Sequence, residues 1–294
     1  MSENIPVGII YDEPAELGEG PHYEPARDTL WWFDIVGRSL LEHRFATAET
    51  IVHPLPFMAS ELAIIDDRRQ LIASENGLYI RDVASGTLTL HTPLEADNSV
   101  TRSNDGGVHP CGALWIGTMG KKAEKGAGAI YHFGRGELRK LYANITVPNA
   151  ISFTQDGGTA YFTDTRKGLL QRVAVDPATG LPLGEPTIAH DQRGRNGDLD
   201  GAVVDRDGTI WIALWGAGLL NAYSPAGEML RSIAIPASLA TCPAFVGPRS
   251  DRLIVTSAWE ILSAEQRALE PHAGKTFFLD LEVKGWPTPR ILLA

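Results

Sequence analysis

A short sequence unit recurs six times along the chain, and this repeat limits the available folds more than any other feature. Each copy is a run of β-branched, aromatic and aliphatic residues that follows a polar turn. The copies are Leu30–Asp34, Leu71–Ser74, Leu114–Thr118, Ala160–Asp164, Ile210–Leu214 and Leu253–Thr256. A fixed period is typical of repeat folds, in which each unit buries its apolar face against its neighbours.

The second residue of each copy provides a reference position for measuring the repeat. These reference residues are Trp31, Ile72, Trp115, Tyr161, Trp211 and Ile254, and by subtraction they are 41, 43, 46, 50 and 43 residues apart. A four-stranded propeller blade takes roughly 40 to 50 residues. The spacing therefore predicts an all-β, six-bladed β-propeller of four-stranded antiparallel blades, forming one domain over 1–294. A pair of β-sandwiches or a solenoid is the alternative, but a sandwich does not predict six equivalent units.

The propeller ring must be closed, because an open end would leave unpaired strand edges. We expect an N-terminal strand at Val7–Tyr11 to pair with the last blade beside Phe277–Leu281.

Composition excludes several classes of partner. The 294 residues carry a formal net charge of -10, which disfavours nucleic acid and anionic membranes. No signal peptide or long apolar run is visible, so we expect a cytoplasmic protein with no membrane partner, either a monomer or a weak dimer. Cys111 and Cys242 are the two cysteines, and we expect both to be reduced.

Polar residues recur 11 or 12 positions before the reference residues, where the innermost strand of each blade should begin. They are Glu19, Glu61, Asn104, Asn149, Asp200 and Cys242. Equivalent positions in a propeller face the same level of the central channel, so five carboxylate or carboxamide side chains should converge there. Crowded carboxylates repel one another unless a cation compensates them, which favours a hard divalent ion. Hydrogen bonding to channel water is the alternative.

Other catalytic signatures are missing from the sequence. The eight His residues include no pair at four-residue spacing, so a zinc-protease site is not indicated. There is no Gly-x-Ser-x-Gly elbow, phosphate loop or Cys-x-x-Cys motif. Serine nucleophiles and nucleotide-dependent chemistry are therefore disfavoured.

The residues around the predicted ring resemble those of the SMP-30/gluconolactonase/regucalcin family, in particular its bacterial sugar lactonase branch. The likeness lies in Leu17-Gly-Glu-Gly-Pro21, Arg102-Ser-Asn-Asp-Gly106, Gly117-Thr-Met119, Pro148-Asn-Ala150, Leu199-Asp-Gly201, Ala213-Leu-Trp-Gly216, Thr241-Cys-Pro-Ala-Phe245 and Pro271-His-Ala-Gly274. Each motif is weak alone, but their order and spacing together are specific.

The resemblance implies a metal-dependent lactonase on a six-bladed propeller. It implies that Glu19, Asn149 and Asp200 bind one divalent ion, which could be calcium, zinc, magnesium, manganese or ferrous iron. It also implies that Arg102 binds substrate and that Asn104 meets the metal through substrate or solvent. Glu61 has no family role, and we assign it to substrate contact because of its register, with plain solvation as the alternative.

The chain departs from the family pattern at two places. Gly120-Lys121-Lys122 stands where many sugar lactonases have an acidic residue soon after Gly-Thr-Met. Ala150 follows Asn149 where Gly is common, which could alter the backbone beside the ligand.

These observations predict a hydrolase that opens a sugar lactone to the aldonic acid, with the metal polarising the carbonyl and Asp200 as general base. Two alternatives remain open. One is a promiscuous propeller esterase or organophosphatase, and the other is a calcium-binding protein without catalysis.

Overall fold

The repeat folds into six similar sheets around a central channel. In the computed structural model, which describes residues 2–293, 24 β-strands form six four-stranded antiparallel sheets. The innermost strand of each sheet packs against the innermost strand of the next, and the last of them packs against the first. The sheets are therefore the blades of a six-bladed β-propeller, as the spacing predicts.

The strands follow the chain from the centre of each blade outwards. Blade 1 contains β2 (Gly18–Glu24), β3 (Thr29–Asp34), β4 (Ser39–Arg44) and β5 (Glu49–Pro54). Blade 2 contains β6 (Ala59–Ile64), β7 (Arg69–Ser74), β8 (Gly77–Asp82) and β9 (Leu88–Pro93). Blade 3 contains β10 (Thr101–Val108), β11 (Leu114–Gly120), β12 (Gly128–Gly134) and β13 (Glu137–Ile145).

The remaining blades repeat this order until the sixth. Blade 4 contains β14 (Pro148–Phe153), β15 (Thr159–Asp164), β16 (Leu169–Ala174) and β17 (Thr187–Asp191). Blade 5 contains β18 (Asp198–Val204), β19 (Ile210–Trp215), β20 (Leu219–Tyr223) and β21 (Met229–Ala234). Blade 6 contains β22 (Ala240–Val246), β23 (Arg252–Ser257), β24 (Thr276–Leu279) and β1 (Val7–Tyr11).

Helical structure is short throughout the described residues. Two 3-10 turns cover Pro25–Arg27 and Thr165–Lys167, and the helix α1 covers Ala264–Leu269. Within residues 2–293, no helix has the length and apolar character needed to cross a membrane.

The predicted ring closure is confirmed. Strand β1 pairs antiparallel with β24, with Val7 opposite Leu279 and Ile9 opposite Phe277. The two ends of the chain thus complete the sixth blade, and this pairing removes the edge that an open ring would expose.

The core lies between neighbouring blades and is built from the repeated unit. Trp31 and Phe33 of β3 are fully buried and pack against Leu62 and Ile72 of blade 2. Trp115 of β11 packs in the same way against blade 4. The reference residues therefore lie on the second strand of each blade, where alternate side chains fill the space between sheets.

Each innermost strand is interrupted by a register shift at the same level of the channel. The shifts fall between Glu19 and His22, Ala59 and Glu61, Ser103 and Gly106, Asn149 and Ser152, Leu199 and Ala202, and Ala240 and Pro243. Bulges of this kind bend a strand and redirect its side chains. They divide the channel into two halves, each with its own cavity.

Candidate active site

A cavity of about 370 Å³ opens at the end of the channel where the innermost strands begin. We call it the site cavity. Five of the six predicted site residues line it, namely Glu19, Arg102, Asn104, Asn149 and Asp200. Each of them is less than a tenth exposed. Residues separated by up to 181 positions, the difference between 19 and 200, therefore meet at one place.

Strand pairing explains why four of these residues share one level. His22 pairs with Trp31 and lies three residues after Glu19. Trp115, Tyr161 and Trp211 pair with Gly107, Ser152 and Val203. The residues three positions before these partners are Asn104, Asn149 and Asp200. Equivalent positions thus project into the same level of the channel.

Glu61 does not lie in the site cavity. Leu62 pairs with Ile72, so the equivalent of Glu19 in blade 2 is Ala59, three residues earlier. Glu61 instead lines a second cavity of about 90 Å³ beyond the bulges, together with Asp105. Its assignment to substrate binding stays a prediction, with no contact in the site cavity to support it.

A chain of hydrogen bonds fixes the amide side chains across blades 3, 4 and 5. Arg102 Nη1 donates to Asn104 Oδ1 at 2.7 Å, and Asn104 Nδ2 donates to Asn149 Oδ1 at 2.8 Å. Asn149 Nδ2 donates to Thr165 Oγ1 at 2.9 Å, and that hydroxyl donates to the Leu199 carbonyl at 2.9 Å. These bonds set the orientation of both amides, and the second lone pair of Asn149 Oδ1 stays free for a further partner.

The two buried carboxylates of the site cavity, Glu19 and Asp200, are poorly compensated. Burial raises the pKa of Glu19 to about 7 and the pKa of Asp200 well above its usual range, and the charge of Glu19 raises the latter further. The Gly20 amide donates to Glu19 Oε2 at 3.1 Å, and the buried Arg102 guanidinium acts in the opposite direction to burial. Two buried carboxylates that repel one another favour a bound cation.

The donor set fits a hard divalent ion. Glu19 and Asp200 supply carboxylate oxygens and Asn149 supplies an amide oxygen, the ligand types that calcium and magnesium prefer. No group of three or more His, Cys, Asp and Glu side chains in residues 2–293 is arranged to hold a metal ion. The donor set of Glu19, Asn149 and Asp200 is not a group of that kind, because it has only two carboxylates and its third member is the amide of Asn149.

The backbone beside two of these residues is left-handed. Gly20 has a φ of 55°, and a Cβ there would lie 2.0 Å from the Ser60 carbonyl oxygen, so only Gly fits. Ala150, which follows Asn149, has a φ of 56°. The left-handed conformation costs an L-residue about 1–2 kcal/mol. The residue after Asn149 thus has nearly the same φ as the residue after Glu19, although Ala stands in place of Gly.

Several residues of the site cavity lie outside the repeat positions. Thr165 and Arg166 follow β15, Trp215 ends β19, and Glu260 follows β23. The register argument considers only the start of each innermost strand, so it misses them. All four lie at or just after the end of the second strand of a blade, which is the strand that carries the repeated unit. The residues that follow each repeated unit are therefore a sequence signal that could have identified them.

Comparisons with known proteins agree with this architecture. The model of the SMP-30/Gluconolactonase/LRE-like region matches residues 17–259. A Rhizobium meliloti (strain 1021) protein named "Putative sugar lactone lactonase" is 54% identical over 287 residues, 97% of each chain. The L-arabinolactonase of Azospirillum brasilense is 30% identical over 299 residues, 99% of this chain and 98% of the relative.

A solved structure is also very similar. The crystal structure of a calcium-binding protein, regucalcin, from Agrobacterium tumefaciens str. C58 superposes with a TM-score of 0.98 at 48% sequence identity. The match covers 99% of this chain and 98% of that one.

Proposed function

Because this chain belongs to the SMP-30/gluconolactonase/LRE-like family, we propose that it hydrolyses a sugar lactone to the corresponding aldonic acid, using one divalent metal ion. The observation that carries the proposal is the meeting of Glu19, Asn149 and Asp200 in one cavity. The cavity also lies within the range of volumes, upwards of about 300 Å³, that small-molecule sites occupy.

The relatives supply the reaction class. Two proteins that match nearly the whole chain carry names that specify lactone hydrolysis, one for sugar lactones and one for L-arabinolactone. These names support a lactonase activity for the present chain. They do not by themselves assign its substrate.

We assign the metal to Glu19, Asn149 and Asp200, which would hold it through three oxygens. The chemistry that a bound divalent ion supplies is polarisation of the lactone carbonyl and acidification of water. Support for an ion comes from the raised pKa of both carboxyls, since a divalent charge would offset their burial and mutual repulsion.

Asp200 is the candidate general base. Its carboxylate lies in the site cavity, where a water molecule and the lactone would meet it. An ionised aspartate oxygen beside a water molecule can accept its proton, and a bound cation would keep Asp200 ionised at neutral pH by offsetting its burial. Asp200 would take the proton of the attacking water and return it to the ring oxygen as the ester bond breaks.

Arg102 and Asn104 are the candidate substrate-binding residues. Arg102 Nη1 is already engaged by Asn104 Oδ1 and, at 2.8 Å, by the Ser103 carbonyl. The remaining guanidinium N–H groups are donors for sugar hydroxyls or the lactone carbonyl. The bond to Asn104 holds the guanidinium in place, which reduces the entropy that substrate binding would cost.

A second candidate function is calcium binding without catalysis. The specific observation in its favour is the regucalcin structure, which is described as a calcium-binding protein and is 48% identical to this chain.

One experiment separates the two functions. Metal-stripped protein is assayed for acid release with a pH indicator on glucono-1,5-lactone, a pentonolactone, an aromatic ester and a phosphotriester. Calcium, zinc, magnesium, manganese or ferrous iron is added in turn. We expect metal-stimulated hydrolysis of the sugar lactones to exceed that of the other substrates. Tight calcium binding with no lactone hydrolysis under any metal would support the binding protein instead.

A further inference from the structure

The charges around the mouth of the site cavity are separated into two sectors. Lys121 and Lys122 follow β11 of blade 3, and Arg166 follows β15 of the adjacent blade 4. The acidic residues at the mouth, Asp198 and Glu260, belong to blades 5 and 6. The side of the mouth formed by blades 3 and 4 is therefore cationic.

Two of these cations have no partner among residues 2–293. Lys121 forms an ion pair with Glu75, whose carboxylate also accepts the Met58 amide at 3.1 Å. Lys122 and Arg166, in contrast, form neither an ion pair nor a side-chain hydrogen bond with any residue in 2–293. Both are exposed and line the site cavity. We call them the rim cations.

The loop that carries Lys122 is held in place rather than free. The Lys121 amide donates to the Val100 carbonyl at 2.8 Å, and the Lys122 amide donates to a Glu124 carboxylate oxygen at 3.0 Å. Arg166 lies in a 3-10 turn directly after Thr165, the residue that positions Asn149. The backbone that carries each rim cation is thus held relative to the proposed metal ligands.

The rest of the protein makes this arrangement unusual. A formal net charge of -10 repels small anions from the surface as a whole. Two unpaired cations at the mouth of the one cavity that holds the predicted site create a local field of the opposite sign. Such a field concentrates anions, and the two cations can donate charge-assisted hydrogen bonds to an anionic group of a ligand held in the cavity.

We propose that the rim cations bind an anionic group of the substrate, so that the preferred lactone carries a carboxylate or a phosphate at the carbon furthest from its carbonyl. This inference rests on the lactonase function proposed above. Glu19, Asn149 and Asp200 would act at the lactone end of the molecule, and Lys122 and Arg166 would hold its charged end.

The test compares two lactones that differ only at the distal carbon. Glucono-1,4-lactone ends in a hydroxymethyl group, and glucaro-1,4-lactone has the same ring and ends in a carboxylate. Glucono-1,5-lactone and 6-phosphoglucono-1,5-lactone form a second pair for phosphate. The variant is Lys122→Gln with Arg166→Gln. The matched control is Lys125→Gln with Lys167→Gln, which changes two exposed lysines of the same two segments that do not line the site cavity.

We expect the rim variant to lose at least about tenfold in kcat/KM on an anionic lactone, mainly through KM, because charge-assisted hydrogen bonds are lost. Its kcat/KM on the neutral partner should stay within about threefold, and the control variant should keep both. In the wild type, raising sodium chloride should raise KM for the anionic lactone more than for the neutral one.

The outcomes separate the inference from the function on which it rests. The role of the rim cations would be overturned if the rim and control variants changed kcat/KM on the anionic lactones equally. It would also be overturned if the rim variant kept the wild-type kcat/KM on both anionic lactones. Neither result would affect the proposed hydrolysis of neutral lactones. If the wild type with added metal opens none of the four lactones, the proposed function fails and the inference fails with it. A selective loss on either anionic lactone supports the rim site and identifies which anion it takes.

Discussion

The two halves of the central channel are lined by the same six strands, yet they differ in almost every property that matters for catalysis. Before the bulges, Glu19 and Asp200 face a cavity of about 370 Å³. Beyond them, Glu61 and Asp105 face one of about 90 Å³, and Trp286 of the C-terminal segment also lines it. Both halves therefore hold buried acids, and the first half combines them with more room for a ligand and with a chain of oriented amide groups.

The second half is arranged for packing. The Ile151 amide donates to Asp105 Oδ2 at 2.7 Å, and Trp286 Nε1 donates to the Val204 carbonyl at 2.8 Å. Burial raises the pKa of both Glu61 and Asp105 well above the usual range, and it lowers the pKa of His22 to about 4. All three groups are thus pushed towards their neutral forms.

The largest effect should come from Asp200→Ala. Removing the proposed base and metal ligand should lower kcat for lactone hydrolysis by at least about a thousandfold, measured with the pH-indicator assay. Glu61→Gln tests the substrate role predicted for Glu61 from its register. Because Glu61 lies outside the site cavity, we expect this variant to keep kcat within about threefold, which would argue against that role. Near-wild-type turnover in Asp200→Ala, or an equal loss in both variants, would remove the functional distinction between the halves.

A pH dependence of metal binding should be the next largest effect. Since burial raises the pKa of Glu19 to about 7, the metal-free protein holds a proton there below that pH, and a metal ion must displace it. Calorimetric titration with calcium at pH 6, 7 and 8 should show affinity rising with pH. The change should be at least about tenfold per unit below pH 7, because Glu19 releases one proton and Asp200, whose pKa is also raised, can release a second. An affinity that is constant over this range would contradict the assignment of Glu19.

Glu61→Gln should stabilise the protein at high pH only. Because the folded-state pKa of Glu61 is raised, the folded protein holds a proton that the unfolded chain releases above about pH 4.3, so stability falls as pH rises. Gln removes this loss. We expect the free energy of unfolding to rise by about 1 kcal/mol or more at pH 8 and to stay unchanged at pH 4. Urea denaturation measures this, with the exposed Glu228→Gln as control. An equal change at both pH values would argue against a buried acid.

Ala150→Gly should have the smallest effect, below about 1 kcal/mol. Gly relieves the left-handed backbone, which stabilises, but it removes a fully buried methyl group, which costs about 0.8 kcal/mol. The melting temperature should therefore change by only a few degrees. A large destabilisation would show that the methyl group, rather than the backbone conformation, sets the packing beside Asn149.

The sequence predicts the blades and most of the candidate site because one register relates them. The step from Trp31, Trp115, Tyr161 and Trp211 back to the ring is 11 or 12 residues. The four residues it reaches, Glu19, Asn104, Asn149 and Asp200, all line the site cavity, and their roles stay predictions. In blade 2 the equivalent step is 13 residues, from Ile72 to Ala59, so counting 11 reaches Glu61 instead. The length of the turn between two strands is not fixed by their hydrophobic pattern.

The mouth of the cavity is harder to predict. Arg166 and Glu260 lie in loops whose conformation depends on local hydrogen bonds rather than on the strand repeat. The two lysines at Lys121 and Lys122 are visible in the sequence as a departure from the family pattern. Only the structure shows that one is paired with Glu75 and the other is not.

The last blade has a consequence for how the molecule is made. Its outer strand, Val7–Tyr11, leaves the ribosome before the strands of the other five blades, whereas its partner, Thr276–Leu279, emerges after all of them. A nascent chain with five finished blades therefore carries an unmatched strand at its beginning. Joining ends so far apart in sequence is slow, and the waiting strand is open to pairing with other chains. Translation must therefore pass Leu279 before the six blades can form a closed ring.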